Sequence, residues 1–510
     1  MNMSETNHNK TPYGMIAILF IGAFVAILNE TLLNVALPSI MNEFEVNATA
    51  VQWLSTGYML VNGILIPASA FFIQRFTDRK LFMTAMTLFT LGTFLASISP
   101  SFGVLLTARM IQASGSAIMM PLLMNVMLTA FPVEKRGAAM GTFGLVMITA
   151  PAIGPTLSGW IIEHYSWRML FDIVLPIALL TLAISIFKLK DVTPQRSLKL
   201  DVFSLILSSI GFGGLLYGFS SAGDRGWDSP IVYGTIIVGA AALITFILRQ
   251  LKMDDPMLEF RIYKYPMFAL SSAISIVIAV AMFSAMILMP IYVQTIRGIS
   301  PLESGLLMLP GAIVMGIMSP ITGRLFDKYG ARVLAVTGLT ITVITSYMFS
   351  KIGMDTPYST LVLLYTLRMF GMAMVMMPVM TNGLNQLPAK ENPHGTAMNN
   401  TLQQVSGAIG SALLITVMNI RTESEAKDLA ASAAANAASA PTAQGAAEAQ
   451  QQIMNQAMLT GINFTFLIST LIAIVALILA FFIQRVEPPK EKQVEAKKEA
   501  MPSQQVVTEP

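Results

Sequence analysis

Fourteen runs of roughly twenty mostly apolar residues fill this chain, and their length restricts its fold more than any other feature. They lie at 14–38, 50–73, 81–99, 102–130, 138–162 and 169–189, then at 202–222 and 230–248. The last group is 267–292, 303–323, 331–350, 357–380, 396–419 and 461–484. Backbone in hydrocarbon must satisfy its own hydrogen bonds, so runs of this length become helices. Charged residues are 12% of the chain, against about 25% in a soluble domain. The sequence therefore predicts an all-α polytopic membrane protein. The weakest span is 396–419, which Asn399, Asn400, Gln403 and Gln404 interrupt.

Lysine and arginine set the orientation, because cytoplasmic loops carry them in excess. With the N-terminus in the cytoplasm, 23 of the 31 basic residues fall on the cytoplasmic side and six outside. The remaining two, Arg109 and Arg368, lie within spans. Both termini are thus expected in the cytoplasm, with the protein in the cell membrane. The first apolar run has no cleavage motif before it and is expected to be a retained span.

The chain repeats itself. Ala152-Ile153-Gly154 returns as Ala408-Ile409-Gly410, 256 positions later, and Gly137-Ala138-Ala139-Met140 as Gly395-Thr396-Ala397-Met398, 258 positions later. Arg109-Met110 returns as Arg368-Met369, and Met119-Met120-Pro121 as Met376-Met377-Pro378. Two six-helix halves follow, at 14–189 and 267–484, with a helix pair inserted in 190–266. Such repeats place a substrate site near mid-membrane between the halves. Residues 1–13 form a cytoplasmic tail, and 485–510, charged and Pro-containing, a disordered one. The Ala- and Gln-rich stretch 421–457 reads either as a solvated, partly helical linker or as a hairpin over the outer opening.

Several chemistries are excluded. There is no cysteine, and His8, His164 and His394 are far apart, so no metal cluster is expected. No phosphate-binding Gly-x-x-x-x-Gly-Lys loop occurs, so ATP does not drive the protein directly. No enzyme active site, cofactor or nucleic-acid partner is expected.

What remains is polar chemistry inside spans. Glu30 is the one acidic residue deep within any run. A charged carboxylate there is costly, which suits Glu30 to take up and release a proton. The alternative is a static, protonated hydrogen-bonding residue. Asn29, Thr31 and Asn34 add polarity, and helical pitch puts Glu30 and Asn34 on one face. Arg109 is the electrostatic partner for a titrating group, with Gln112 one turn on; alternatively it pins backbone carbonyls. Arg368, lacking such a glutamine, reads as structural. Met119, Met120, Met124, Met286 and Met289 are candidates for a flexible cavity wall, although most of the 37 methionines fill packed or lipid-facing surface. Gly323-Arg324-Leu325-Phe326-Asp327-Lys328-Tyr329-Gly330-Ala331-Arg332 reads as a latch between helix ends or as an ordinary basic turn.

These motifs together resemble the fourteen-helix drug:proton antiporter group of the major facilitator superfamily, closest to the lincomycin-resistance type of Gram-positive bacteria. Leu28-Asn29-Glu30-Thr31-Leu32-Leu33-Asn34-Val35-Ala36-Leu37-Pro38 matches the group's first-helix pattern Leu-Asp-x-Thr-x-x-Asn-x-Ala-Leu-Pro. Arg109-Met110-Ile111-Gln112-Ala113-Ser114-Gly115 matches Arg-x-x-Gln-Gly-x-Gly, which the family associates with proton relay. Gly154-Pro155-Thr156-Leu157-Ser158-Gly159 matches the exporters' Gly-Pro-x-x-Gly-Gly, and 323–332 the superfamily latch, with Gly323, Asp327, Gly330 and Arg332. This chain departs mildly at Ala113 and Ser158, small residues in place of family glycines, and more strongly in two places. Asn29 stands where the family has aspartate, with the acid one residue later, about 100° around the helix. The amino-terminal latch copy, Ala70-Phe71-Phe72-Ile73-Gln74-Arg75, lacks its glycine and aspartate and is expected either to be weaker or to use Asp78. The resemblance implies a proton-driven exporter of amphipathic drugs such as lincosamides or cationic dyes, acting as a monomer in the bilayer. A lipid or lipid-linked glycan flippase of the same fold is the alternative, and a membrane receptor is disfavoured by the lack of a soluble sensing region.

Overall fold

A computed structural model describes residues 13–130, 150, 153–189, 191, 201–253, 256, 258–388, 391–436 and 443–486. The basic turn 134–137, most of the fifth span before residue 153, and the expected tails apart from residues 13, 485 and 486 lie outside these residues. The described chain is helical throughout. In the amino-terminal half, α1 is Tyr13–Phe44, α2 Ala48–Arg75, α3 Asp78–Ser97, α4 Phe102–Ala130, α5 153–164 and α6 Met169–Lys188. The inserted pair is α7, Val202–Arg225, and α8, Pro230–Lys252. In the carboxyl-terminal half, α9 is Pro266–Ile291, α10 Pro301–Phe349, α11 Tyr358–Asn385, α12 Asn392–Asn436 and α13 Ala443–Ala480.

Helix starts follow from local chemistry. The Asn47 carboxamide accepts from Ala50 N at 2.8 Å, and the Thr77 hydroxyl from Lys80 N at 3.2 Å. Ser300 caps α10 from Glu303 N at 3.2 Å, with Pro301 at the first helical position. Each supplies an acceptor for an otherwise orphaned amide, and proline there removes a donor that has no partner anyway.

The 49 residues of α10 cannot be one straight rod, which would reach about 74 Å at 1.5 Å per residue. The helix breaks at Gly330, whose φ of 78° is in the region open to glycine. Two contacts show that its limbs return to the same end of the bundle. Tyr358 Oη donates to Glu303 O at 2.7 Å, and Tyr292 Oη donates to Gly353 O at 2.8 Å. With the limbs counted separately, the described chain has fourteen helices. Twelve segments have the length and hydropathy of a membrane span; the others are α2, with 28 residues, and the described part of α5.

Helices alternate in direction, which gives the bundle a Tyr13 end and a Phe44 end. At the Tyr13 end the Arg79 guanidinium donates to Ile186 O at 2.6 Å, tying α3 to α6. There Asn382 of α11 also donates to Gln484 O at 3.0 Å and accepts from Val486 N at 3.2 Å. At the Phe44 end Arg168 joins Glu43 at 2.6 Å and donates to Ser99 O at 2.8 Å. The inserted pair closes through Asp201, which receives a two-pronged bond from Arg249 at 2.9 and 3.1 Å. Its α7 packs on α12, where Thr416 donates to Phe219 O at 3.1 Å.

Beyond the expected spans, α12 continues to Asn436 and α13 begins at Ala443. Residues 421–436 and 443–457 therefore extend two membrane helices, where the sequence left open a partly helical linker or a hairpin. Alanine's high helix propensity accounts for this, as do the i,i+4 pairs Arg421–Glu425 and Lys427–Glu423. The polar run in 396–419 likewise does not break α12. Its Asn399 and Thr401 are buried against neighbouring helices, where lipid does not reach.

Candidate functional site

Arg109 and Arg368 are among the largest fully buried side chains of the protein, at 1% and 0% exposure. Their surroundings differ. Arg109 Nη1 donates to Asn29 Oδ1 on α1 and to Gln112 Oε1 on its own helix. Gln112 Nε2 in turn donates to Thr93 Oγ1 on α3 at 2.7 Å. The Tyr58 ring of α2 lies 4.3 Å beneath the guanidinium carbon, a cation–π contact in a desolvated setting. Four helices thus meet on one cation, and the oxygens that hold it belong to neutral amides.

Glu30, partly buried on the next residue of α1, is in electrostatic reach of Arg109. The direct ion pairs of the described residues lie elsewhere. Asn29 thus occupies the guanidinium in the place where the family has an acid, and Glu30 beside it has no ion-pair partner among the described residues. Asn34, one turn on from Glu30, is 6% exposed and accepts from Ser55 Oγ of α2 at 3.5 Å.

Arg368 Nη1 donates to Ser346 Oγ and Nη2 donates to Ala281 O at 2.9 Å. It fastens α11 to α9 and to the second limb of α10 through a hydroxyl and a backbone carbonyl. Matching positions in the two halves therefore hold an arginine bonded to side chains and an arginine bonded partly to backbone.

The glycines of 154–159 lie at crossings. A Cβ on Gly154 would collide with Thr31 Oγ1, one residue from Glu30. A Cβ on Gly159 would strike Pro301 O, and reciprocally one on Gly305 would strike Pro155 O. So α5 bears on α1 with one glycine and crosses the first limb of α10 with the other, at the seam between the halves. Gly305 was missed in the sequence, where it stands alone without a motif.

Among the described residues, four hydrogen bonds cross that seam toward the Phe44 end. Gln294 Nε2 donates to Val35 O at 3.0 Å, and Thr156 Oγ1 donates to Gly305 O at 3.4 Å. Ser300 Oγ donates to Glu163 at 3.5 Å, and Asn419 of α12 donates to Thr49 of α2. Gln294 sits in a five-residue π-helical turn, Tyr292–Ile296, that follows Pro290. Such turns re-aim side chains within a helix.

The methionines divide. Met119 and Met289 are each 1% exposed in the packed core, while Met120 and Met286 are partly buried against it and Met124 is half-buried. An apolar recess of about 320 Å³ between α1, α5 and α6 is lined by Phe20, Phe24, Leu28, Leu157, Ile161 and Val174, among others, and by none of these methionines.

The latch residues stand at the Tyr13 end. Asp78 is fully buried in the first turn of α3, and Arg75 is exposed in the last turn of α2. In the other half Gly330 makes the break in α10, the side chain of Arg485 passes 3.7 Å from its Cβ position, and Arg332 is exposed. Gly323 faces open space, and the Asp327 side chain lies outside what the structure describes.

Comparison with known proteins gives the same picture. The profile of the Major Facilitator Superfamily matches residues 19–411. The chain is 53% identical over 422 residues to an uncharacterized MFS-type transporter of Bacillus subtilis, YhcA, covering 83% of this chain and 79% of that one. It is 43% identical over 475 residues to the lincomycin resistance protein LmrB of Bacillus subtilis, covering 93% and 96%. A bacterial homolog of the human lysosomal transporter Spinster, solved inward-facing and occupied, superposes with a TM-score of 0.65 at 14% identity, covering 92% and 96%. That likeness is one of fold alone. With the halves, the inserted pair and the buried arginines in place, the chain belongs to the major facilitator superfamily, in close relation to its lincomycin-resistance exporters.

Proposed function

We propose that this protein exports amphipathic drugs, lincosamides among them, in exchange for protons. The observation that carries the proposal is the Asn29–Arg109–Gln112 cluster beside Glu30. Neutral amides hold Nη1 of the guanidinium and no direct ion pair joins it to Glu30 among the described residues, so Glu30 can gain or lose a proton without breaking one. The distribution of lysine and arginine supports placing the Tyr13 end, both termini and the latch residues in the cytoplasm. The Phe44 end then faces outside, and the seam contacts described above close the outer gate.

In this cycle Glu30 takes a proton while the site faces out and gives it up to the cytoplasm as drug is bound. Gln112 and Thr93 hold Arg109 in place beside Glu30. One charge crossing 100 mV releases about 2.3 kcal/mol. That corresponds to roughly fiftyfold accumulation of a neutral drug at one proton per drug. No bound cofactor is needed, and a monomer contains every residue invoked. The recess between α1, α5 and α6 is lined by apolar side chains, so it suits hydrocarbon and brings no headgroup-binding chemistry to support lipid flipping.

The test uses purified protein in liposomes with an imposed pH gradient, following lincomycin or ethidium. Gradient-driven movement that is lost in Glu30→Gln with drug binding retained supports the proposal. Movement that survives the substitution places proton coupling elsewhere. Absence of movement for every drug tested favours the flippase.

A further inference from the structure

Gln52 is fully buried on α2, and neither its amide nitrogen nor its amide oxygen has a hydrogen-bonding partner among the described residues. The other buried atoms without partners are single atoms of their side chains. A buried amide unpaired at both ends is uncommon in a native fold and calls for a reason.

Its position supplies one. Thr49, Gln52, Thr56, Met59 and Gly63 recur on α2 at steps of three and four, so they share one face. Both ends of that stripe meet α12: Thr49 accepts from Asn419, and a Cβ on Gly63 would stand 2.6 Å from Val405. Met59 clusters with Ala408 and Ala412 of the same helix. Gln52 is therefore one turn below the Thr49–Asn419 bond, within the seam that closes the outer end.

We propose that Gln52 is a gate residue of the transport cycle. While α2 and α12 are closed, its amide is cut off from water and unpaired; when they part, water reaches both ends. The penalty is confined to the closed seam and weighs against the bonds of Asn419, Gln294 and Ser300 there. Gln52 thus keeps the outer gate from locking shut.

The inference rests on the alternating-access reading above, but its test needs neither drug nor proton gradient. The chain has no cysteine, so one introduced thiol reports alone. Ile415, 1% exposed on α12 and one turn below Asn419, becomes Ile415→Cys. Its labelling by a membrane-impermeant maleimide from outside measures how often the gate opens. Adding Gln52→Met, which keeps the volume and removes the orphaned groups, is expected to slow labelling by about fivefold or more and to raise Tm. Thr49→Val removes a closing bond and is expected to speed labelling. Unchanged or faster labelling in Gln52→Met overturns the proposal. So does a lower Tm or a loss of folded protein, because either shows the glutamine to be a stabilising part of the packing. Loss of gradient-driven transport in the parent protein, with these labelling shifts intact, counts against proton-coupled export and not against the gate.

Discussion

At the scale of single residues, the two buried arginines are the informative contrast. Arg109 holds two amide oxygens through one guanidinium nitrogen while the guanidinium lies over the Tyr58 ring, a combination that lysine cannot reproduce. Arg109→Lys is expected to lower gradient-driven transport by at least about tenfold, with thermal stability reduced only modestly, as measured in liposomes and by thermal unfolding. Arg368→Lys is expected to do the reverse, because it gives up bonds to Ser346 and to the Ala281 carbonyl that hold helices together. Equal transport losses in both variants would refute the distinction. Sequence showed both arginines as misplaced charges, and a glutamine one turn later singled out Arg109. Tyr58 and Thr93 went unnoticed, since a tyrosine or threonine in an apolar run carries no signal until another helix delivers a partner to it.

At the scale of elements, close crossings decide what can move. Gly154→Ala drives a methyl group into the Thr31 side chain, whereas Gly159→Ala drives one into the Pro301 carbonyl. Both are expected to depress export. Thr31→Ala should partly restore Gly154→Ala, because a side chain can be cut back, and no side-chain substitution at position 301 should restore Gly159→Ala. Export rates of the four variants check this, and equal rescue would refute it. For the inserted pair, burial pushes the Asp201 carboxyl up, but hydrogen bonds from Arg249 and Ser204 outweigh it and hold the group below the usual carboxylate range. The stability it contributes is therefore present above the ordinary aspartate value and lost as pH falls through the lowered folded value. Asp201→Asn should lower Tm at neutral pH, with the difference shrinking in strong acid. Helices themselves were legible from run length and capping residues. The continuation of α12 and α13 past the membrane was not, because 421–457 lacks the apolar signal by which the spans were found.

At the scale of the whole molecule, the seam between the halves joins residues more than a hundred positions apart, such as Gln294 with Val35 and Asn419 with Thr49. Thr49→Cys with Asn419→Cys in this cysteine-free chain, bridged by a short bifunctional thiol reagent, is expected to stop export, and export that continues would show that this seam need not open. Composition, run length and the internal repeat determined the class of fold, the number of helices and the pairing of the halves, because the bilayer imposes one length and one backbone solution on every span. Local motifs likewise determined that an acid, an arginine and crossing glycines lie inside the membrane. Only the tertiary structure decided that Asn29 and not Glu30 holds Arg109, that Gly305 answers Pro155, and that Gln52 is left unpaired. Those outcomes depend on the rotation and depth of one helix against another, and side-chain packing across several elements sets both.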